Sequence, residues 1–259
     1  MSRVSTNSPK DALHHAIINR VSEATVSKLH KRGLLALYLG GTFLTSDRLS
    51  SSDIDLLGIV AKTFDFCEED HLNSYFDESV EPEVGIKSCF RGITISELKG
   101  GIQKGNATSW IPIRIMIKRL PFYMHLWGIK FNFTTFPIKP YPPKEEAGIH
   151  FIGIKRSIKS IRRKNGRLRL SPQAFAKQVL HLAFVEAEVA YGFKFTPSYE
   201  GLIDHLKDRK DHFAHRAFEI RKSEAITTED YLAFCDQAER YVSNLKKLKI
   251  RKYDGRKDE

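Results

Sequence analysis

Leu37 to Val60 reads LYLGGTFLTSDRLSSSDIDLLGIV, two apolar runs separated by a polar loop. The first run starts at Leu34 and stops at Gly40-Gly41, and the second covers Asp53 to Val60. Both are short and punctuated by Gly and Ser, which is the pattern of strands rather than of buried helices. Alternation along the second strand puts Asp53 and Asp55 on one face, while Ile54 and Leu56 point into the core. Two neighbouring carboxylates repel each other unless cations sit between them. Mg²⁺, which takes hard oxygen ligands and bridges to phosphates, relieves that repulsion. The two glycines lack a Cβ and let backbone N–H groups approach a polyphosphate, and Thr42 adds a hydroxyl. Alone, Gly-Gly and Asp-Ile-Asp are ordinary turn sequences. Together, at this spacing and between apolar runs, they describe a phosphate cradle on one strand and a metal-holding pair on the next.

The arrangement resembles the DNA polymerase β-like nucleotidyltransferase superfamily. Its fingerprint is an apolar residue, Gly-Gly or Gly-Ser, nine to thirteen residues, then Asp-apolar-Asp/Glu-apolar. Here Gly40, Gly41 and Thr42 are followed by ten residues and then by Asp53-Ile54-Asp55-Leu56, with Ser52 at a frequent family position. The resemblance implies an α+β fold, a small mixed sheet with flanking helices, followed by a helical domain. It also implies a two-metal in-line displacement that moves a nucleoside monophosphate from an NTP to an acceptor hydroxyl and releases pyrophosphate. Asp53 and Asp55 would hold two Mg²⁺ ions, for which Mn²⁺ can substitute. Gly40, Gly41, Thr42 and Ser52 would bind the nucleotide. A third carboxylate on a later strand is expected, and Glu83 fits best, since Val84, Ile86 and Cys89 read as a strand entering the core. Glu81 shares that face two residues earlier, and Glu97 sits where a helix starts.

Outward from this segment, residues 11–32 have helical spacing and Gly33 stops them. Residues 61–80 are acidic and irregular, and 83–90, 111–117 and 130–136 read as strands. The Pro-rich stretch Pro137 to Pro143 marks a linker, giving a catalytic domain over 1–143 and a basic helical domain over 144–259. Beyond it helices are expected over 151–164, stopped by Asn165-Gly166, and from Ser171-Pro172 to about Gly192. Two more are expected from Thr196-Pro197 to about Lys207 and from Thr227-x-x-Asp230 to about Lys247.

The 259 residues carry 42 basic and 31 acidic side chains, a formal charge of +11. Residues 1–150 hold 18 and 16 of these, net +2, and residues 151–259 hold 24 and 15, net +9. An anionic partner for the second half follows from that asymmetry. Cys67, Cys89 and Cys235 are too few and too scattered for a disulfide framework or a Cys-x-x-Cys metal knuckle. Without a leader-like or membrane-spanning run, a cytoplasmic location is expected.

The segment Lys155 to Arg169 has eight basic residues in fifteen, either a solvated helix face or a phosphate-contacting one. Lys246 to Lys257 holds seven more around Tyr253. Glu186, in the apolar stretch AFVEAEVAYG, is either paired with a cation or a general base for the acceptor, as in the antibiotic nucleotidyltransferases that this part loosely resembles. His212-x-x-His215 has zinc-like spacing but no further ligand in sight. The charge favours an RNA or tRNA end as acceptor. A small antibiotic-type molecule, a protein hydroxyl, and a non-catalytic RNA-binding role on the same scaffold are the other readings.

Overall fold

The two apolar runs pair antiparallel as β1 (Leu34–Gly40) and β2 (Ile54–Val60), with Leu34 opposite Val60 and Gly40 opposite Asp55. The computed structural model describes residues 9–49, 52–100, 111–163 and 170–249. It divides the chain into two units, Met1–Pro140 and Tyr141–Glu259. In the first, β3 (Ser88–Thr94) runs parallel to β2 and β4 (Met124–Gly128) antiparallel to β1, so the sheet is mixed, in the order β3-β2-β1-β4.

Strand alternation distributes the side chains to two cores rather than one. Ile54, Leu56 and Val60 join Leu37 and Leu39 on one face, against Ile17 and Val21 of α1 (Pro9–Leu29) and Leu72 of α2 (Cys67–Tyr75). Asp55 heads the opposite row. Beyond it, Leu57 and Ile59 join Ala36 and Tyr38 in a second core. After a short turn of helix, α3 (Glu81–Val84), and strand β3, that core is closed by Leu98 of α4 (Ile95–Gly100) and by Ile113, Met116 and Ile117 of α5 (Ile113–Arg119). The face that bears Asp55 is therefore exposed only near its end, where Asp55 is half-buried.

Four sequence expectations give way here. Residues 61–80 are irregular only as far as 66: from Cys67 the chain forms α2, which continues into a π-helical turn, Phe76–Val80, that buries Phe76 and Val80. The run 111–117 alternates like a strand yet forms α5, because Pro112 sets its entry and Ile113, Ile115, Met116 and Ile117 are all buried. When both parities are buried, alternation carries no information. The expected strand at 130–136 is a short 3₁₀ turn, Phe133–Thr135, capped by the Asn132 side chain, which accepts from the Thr134 N–H and hydroxyl; the strand lies earlier, in β4. Finally, 83–90 is not one strand. Pro82 sits in the first turn of α3, Gly85 ends it at φ 69°, and β3 begins only at Ser88.

The second unit is helical: α6 (Pro143–Arg163), α7 (Pro172–Tyr191), α8 (Tyr199–His205), α9 (Phe213–Lys222) and α10 (Thr228–Lys249). Helix α6 starts inside the Pro-rich stretch, since proline is tolerated in a first turn. Its buried row is Phe151, Ile154, Ile158 and Ile161, and its basic residues face outward. Ser171 caps α7 by accepting the Ala174 N–H, and Gly192 ends it. Ser198, not Thr196, caps α8. Thr227 accepts the Asp230 N–H and donates to its carboxylate, the expected box at the start of α10. Asn165-Gly166 and the side chains of Lys246 to Lys257 lie outside the described residues.

Candidate active site

The site begins with two glycines held by different constraints. Gly40 is extended, and a Cβ there would run into the ring of Tyr123. Gly41 sits at φ 73°, the left-handed region that side chains avoid, and a Cβ on it would overlap Oδ2 of Asp55. The chain then tightens into a 3₁₀ turn, Gly41–Leu44, in which Thr42 is buried. Thr42 Oγ1 lies 3.3 Å from Ser52 Oγ, and Ser52 Oγ accepts the Leu49 N–H at 2.9 Å. The Ser52 N–H returns to the Leu49 carbonyl at 3.0 Å. Thr45 donates to Thr42 O and to the buried Asp47, pinning the other end of the loop.

Gly40, Gly41, Thr42, Ser52, Asp53 and Asp55 are thus brought together at one end of the sheet. Asp53 immediately precedes β2, and Asp55 is its second residue. Across the parallel ladder the neighbour of Asp55 is Cys89. Burial pushes the Cys89 thiol up, and the nearby Asp55 and Asp53 carboxylates push it further while Arg91 opposes them. Burial likewise raises the Tyr123 hydroxyl, with Asp55 adding to the effect and Arg119 opposing it. Cys89 and Tyr123 are the site neighbours that sequence reading missed. Both arrive through long-range pairing, of β2 with β3 and of β1 with β4, which no local pattern announces.

Glu83 does not join this group. It lies in α3, exposed, and Arg20 of α1 grips it in a fork at 2.8 to 3.1 Å, which holds its carboxyl below the usual carboxylate range. Glu81 is in the same helical turn and on no strand. Glu97 is buried and caps its own helix, accepting from the Thr94 N–H and hydroxyl at 2.8 Å. Among the described residues, no third His, Cys, Asp or Glu makes a metal-holding cluster with the aspartate pair. Two carboxylates nevertheless suit Mg²⁺, which takes one or two from a protein and completes its shell with water and substrate phosphates.

The fold is shared with a solved adenyltransferase. The spectinomycin adenyltransferase AAD(9) from Enterococcus faecialis, whose structure was determined with ATP and spectinomycin, matches with a TM-score of 0.57. The match covers 88% of this chain and 99% of the adenyltransferase at 14% sequence identity, so the likeness is one of fold. By sequence the chain matches no protein-family model and no curated protein.

In the helical unit, Glu186 is buried with both oxygens engaged. Tyr191 donates to Oε1 at 3.2 Å and Tyr241 to Oε2 at 2.5 Å, and His212 Nε2 lies 3.2 Å from Oε2. These partners are two tyrosines and a histidine, and a carboxylate so occupied is poorly placed to take a proton. His212 and His215 are each engaged separately: His212 Nδ1 caps α9 by accepting the Ala214 N–H, and His215 Nε2 bonds the Leu206 carbonyl.

Proposed function

We propose that this protein is a Mg²⁺-dependent nucleotidyltransferase that moves a nucleoside monophosphate from an NTP to an acceptor hydroxyl. The observation that carries this reading is the close approach of the Asp55 carboxylate to Gly41, possible only because residue 41 has no side chain, within a half-buried aspartate pair beside the glycine turn. The likeness to an ATP-using adenyltransferase supports it. Asp53 and Asp55 would hold the metal, which, when bound, supplies charge stabilisation for the phosphates. Glu83 is left out of the ligand set because Arg20 already neutralises it. The backbone of Gly40 to Thr42 follows the outgoing phosphates, and the Thr42–Ser52 contact keeps the loop shut behind them. Gly40 and Tyr123 wall the site from the β4 side. With no carboxylate from β3, the acceptor hydroxyl loses its proton to solvent or to a phosphate oxygen.

For the acceptor, an RNA end is supported by the outer face of α6. Lys155, Arg156, Lys159 and Arg163 stand exposed there, with no ion-pair partner among the described residues, while Arg162 is taken by Asp236 and Glu239. A small-molecule acceptor is the second reading, favoured by the fold neighbour solved with spectinomycin. Incubation with each labelled NTP, Mg²⁺ and separate RNA, protein and small-molecule fractions decides between them. RNA labelling that weakens when Lys155, Arg156 and Lys159 are changed to Glu supports the first reading. Label confined to small molecules supports the second, and binding of RNA without pyrophosphate release refutes transfer altogether.

A further inference from the structure

Arg221, near the end of α9, is 5% exposed, yet no carboxylate lies within ion-pair reach of it among the described residues, and its Nε makes no hydrogen bond. A buried guanidinium without a counter-charge is costly and persists only when something else meets it. The carboxylates of this region are committed elsewhere: Glu200 faces Lys222 at 3.8 Å and Glu146 faces His150 at 3.8 Å. Arg221 instead stands over the ring of Tyr199, 4.9 Å from its centroid. The Tyr199 hydroxyl bonds His181 Nε2 at 2.9 Å, and the His181 ring lies 5.9 Å from that of His150. His150 Nε2 is also buried without a hydrogen bond. Basic and hydroxyl groups from α6, α7, α8 and α9 therefore meet within this core, with the Arg221 Nε unmet at one end and His150, paired with the buried Glu146, at the other.

We propose that Arg221 marks an oxyanion site in the helical unit, one that takes a phosphate group, with Tyr199 as its floor. Arg is the side chain suited to this ligand, because its planar fork matches two phosphate oxygens at once. The net +9 of residues 151–259 favours a dianion over a carboxylate. The ring of Tyr199 packs against the guanidinium and limits its orientations. The inference is independent of the metal-dependent chemistry assigned to the other unit.

Tripolyphosphate, titrated into the full chain with EDTA present, tests it by calorimetry and thermal unfolding. The wild type is expected to bind and to unfold at higher temperature as the ligand is added. Arg221→Met is expected to be at least as stable without ligand, since it removes an unmatched buried charge, and to bind about tenfold or more weakly. Should that variant not fold, Arg221→Lys carries the test, and it is expected to bind about tenfold more weakly for want of the fork. A wild type that ignores tripolyphosphate, or a folded variant that binds it as tightly, overturns the site. Competition names the source: displacement by metal-free ATP points to nucleotide phosphates, and displacement by short single-stranded RNA alone points to a nucleic-acid backbone. Asp55→Asn is expected to leave this binding unchanged. Arg221-dependent binding in a protein that releases no pyrophosphate would remove the transfer reading and keep this one.

Discussion

Gly41 and Gly85 have nearly the same backbone, φ 73° and 69°, in different surroundings. A Cβ on Gly85 meets nothing within 4 Å, whereas one on Gly41 lands on the Asp55 carboxylate. Replacing each by Ala therefore separates backbone strain from the contact. Both variants carry the left-handed penalty, about 1–2 kcal/mol, which lowers the midpoint of thermal unfolding by about 2–8 °C for a domain of this size. Gly41→Ala alone must also push the Asp55 carboxylate aside or open the turn, a displacement of about 1 Å, which at a reacting centre costs about 100-fold in rate. Mg²⁺-dependent pyrophosphate release and thermal unfolding, measured on both variants, read the two effects separately. Gly85→Ala is expected to lose stability and keep its rate; Gly41→Ala is expected to lose both. Equal rates in the two variants would refute the argument that the Gly41–Asp55 contact shapes the site.

Tyr241→Phe removes the 2.5 Å bond to Glu186 and leaves a buried carboxylate short of a donor. It is expected to lower the urea midpoint by an amount equal to about 1–3 kcal/mol without changing nucleotide turnover, and an unaltered midpoint counts against Glu186 as a structural hub. Ser171→Ala deletes the cap of α7 and is expected to cost about 1 kcal/mol in the same assay. The Arg20–Glu83 pair predicts a pH signature. The carboxyl is depressed in the folded state, so its contribution is full above the ordinary Glu pKa and lost as pH falls through the lowered one. Arg20→Met is therefore expected to unfold at lower temperature than wild type near neutrality and to converge with it in acid. A gap that stays constant across that range would contradict the pairing.

What the sequence disclosed follows from where its information is local. Gly40 to Asp55 announces itself because the strands, the glycines and the acidic pair are contiguous, and Ser171-Pro172 and Thr227-x-x-Asp230 are caps that act within one turn. Glu83 misled because Val84, Ile86 and Cys89 look like one strand, although Pro82 and Gly85 bracket a turn of helix between them. Residues 111–117 misled for a different reason, since a helix buried on the sheet loses its polar face and with it the 3.6-residue signal. Cys89 and Tyr123 were out of reach. Each stands beside Asp55 through a strand register fixed by the folded sheet, about 30 and 70 residues away in sequence.

The measurement closest to the central claim is pyrophosphate release from each NTP with and without Mg²⁺, by the wild type, Asp53→Asn, Asp55→Asn and Glu83→Gln, with circular dichroism to confirm folding. A metal held by Asp53 and Asp55 predicts metal-dependent release by the wild type and by Glu83→Gln, and none by either folded aspartate variant. Release that persists in Asp53→Asn or Asp55→Asn, or that disappears in a folded Glu83→Gln, would contradict it.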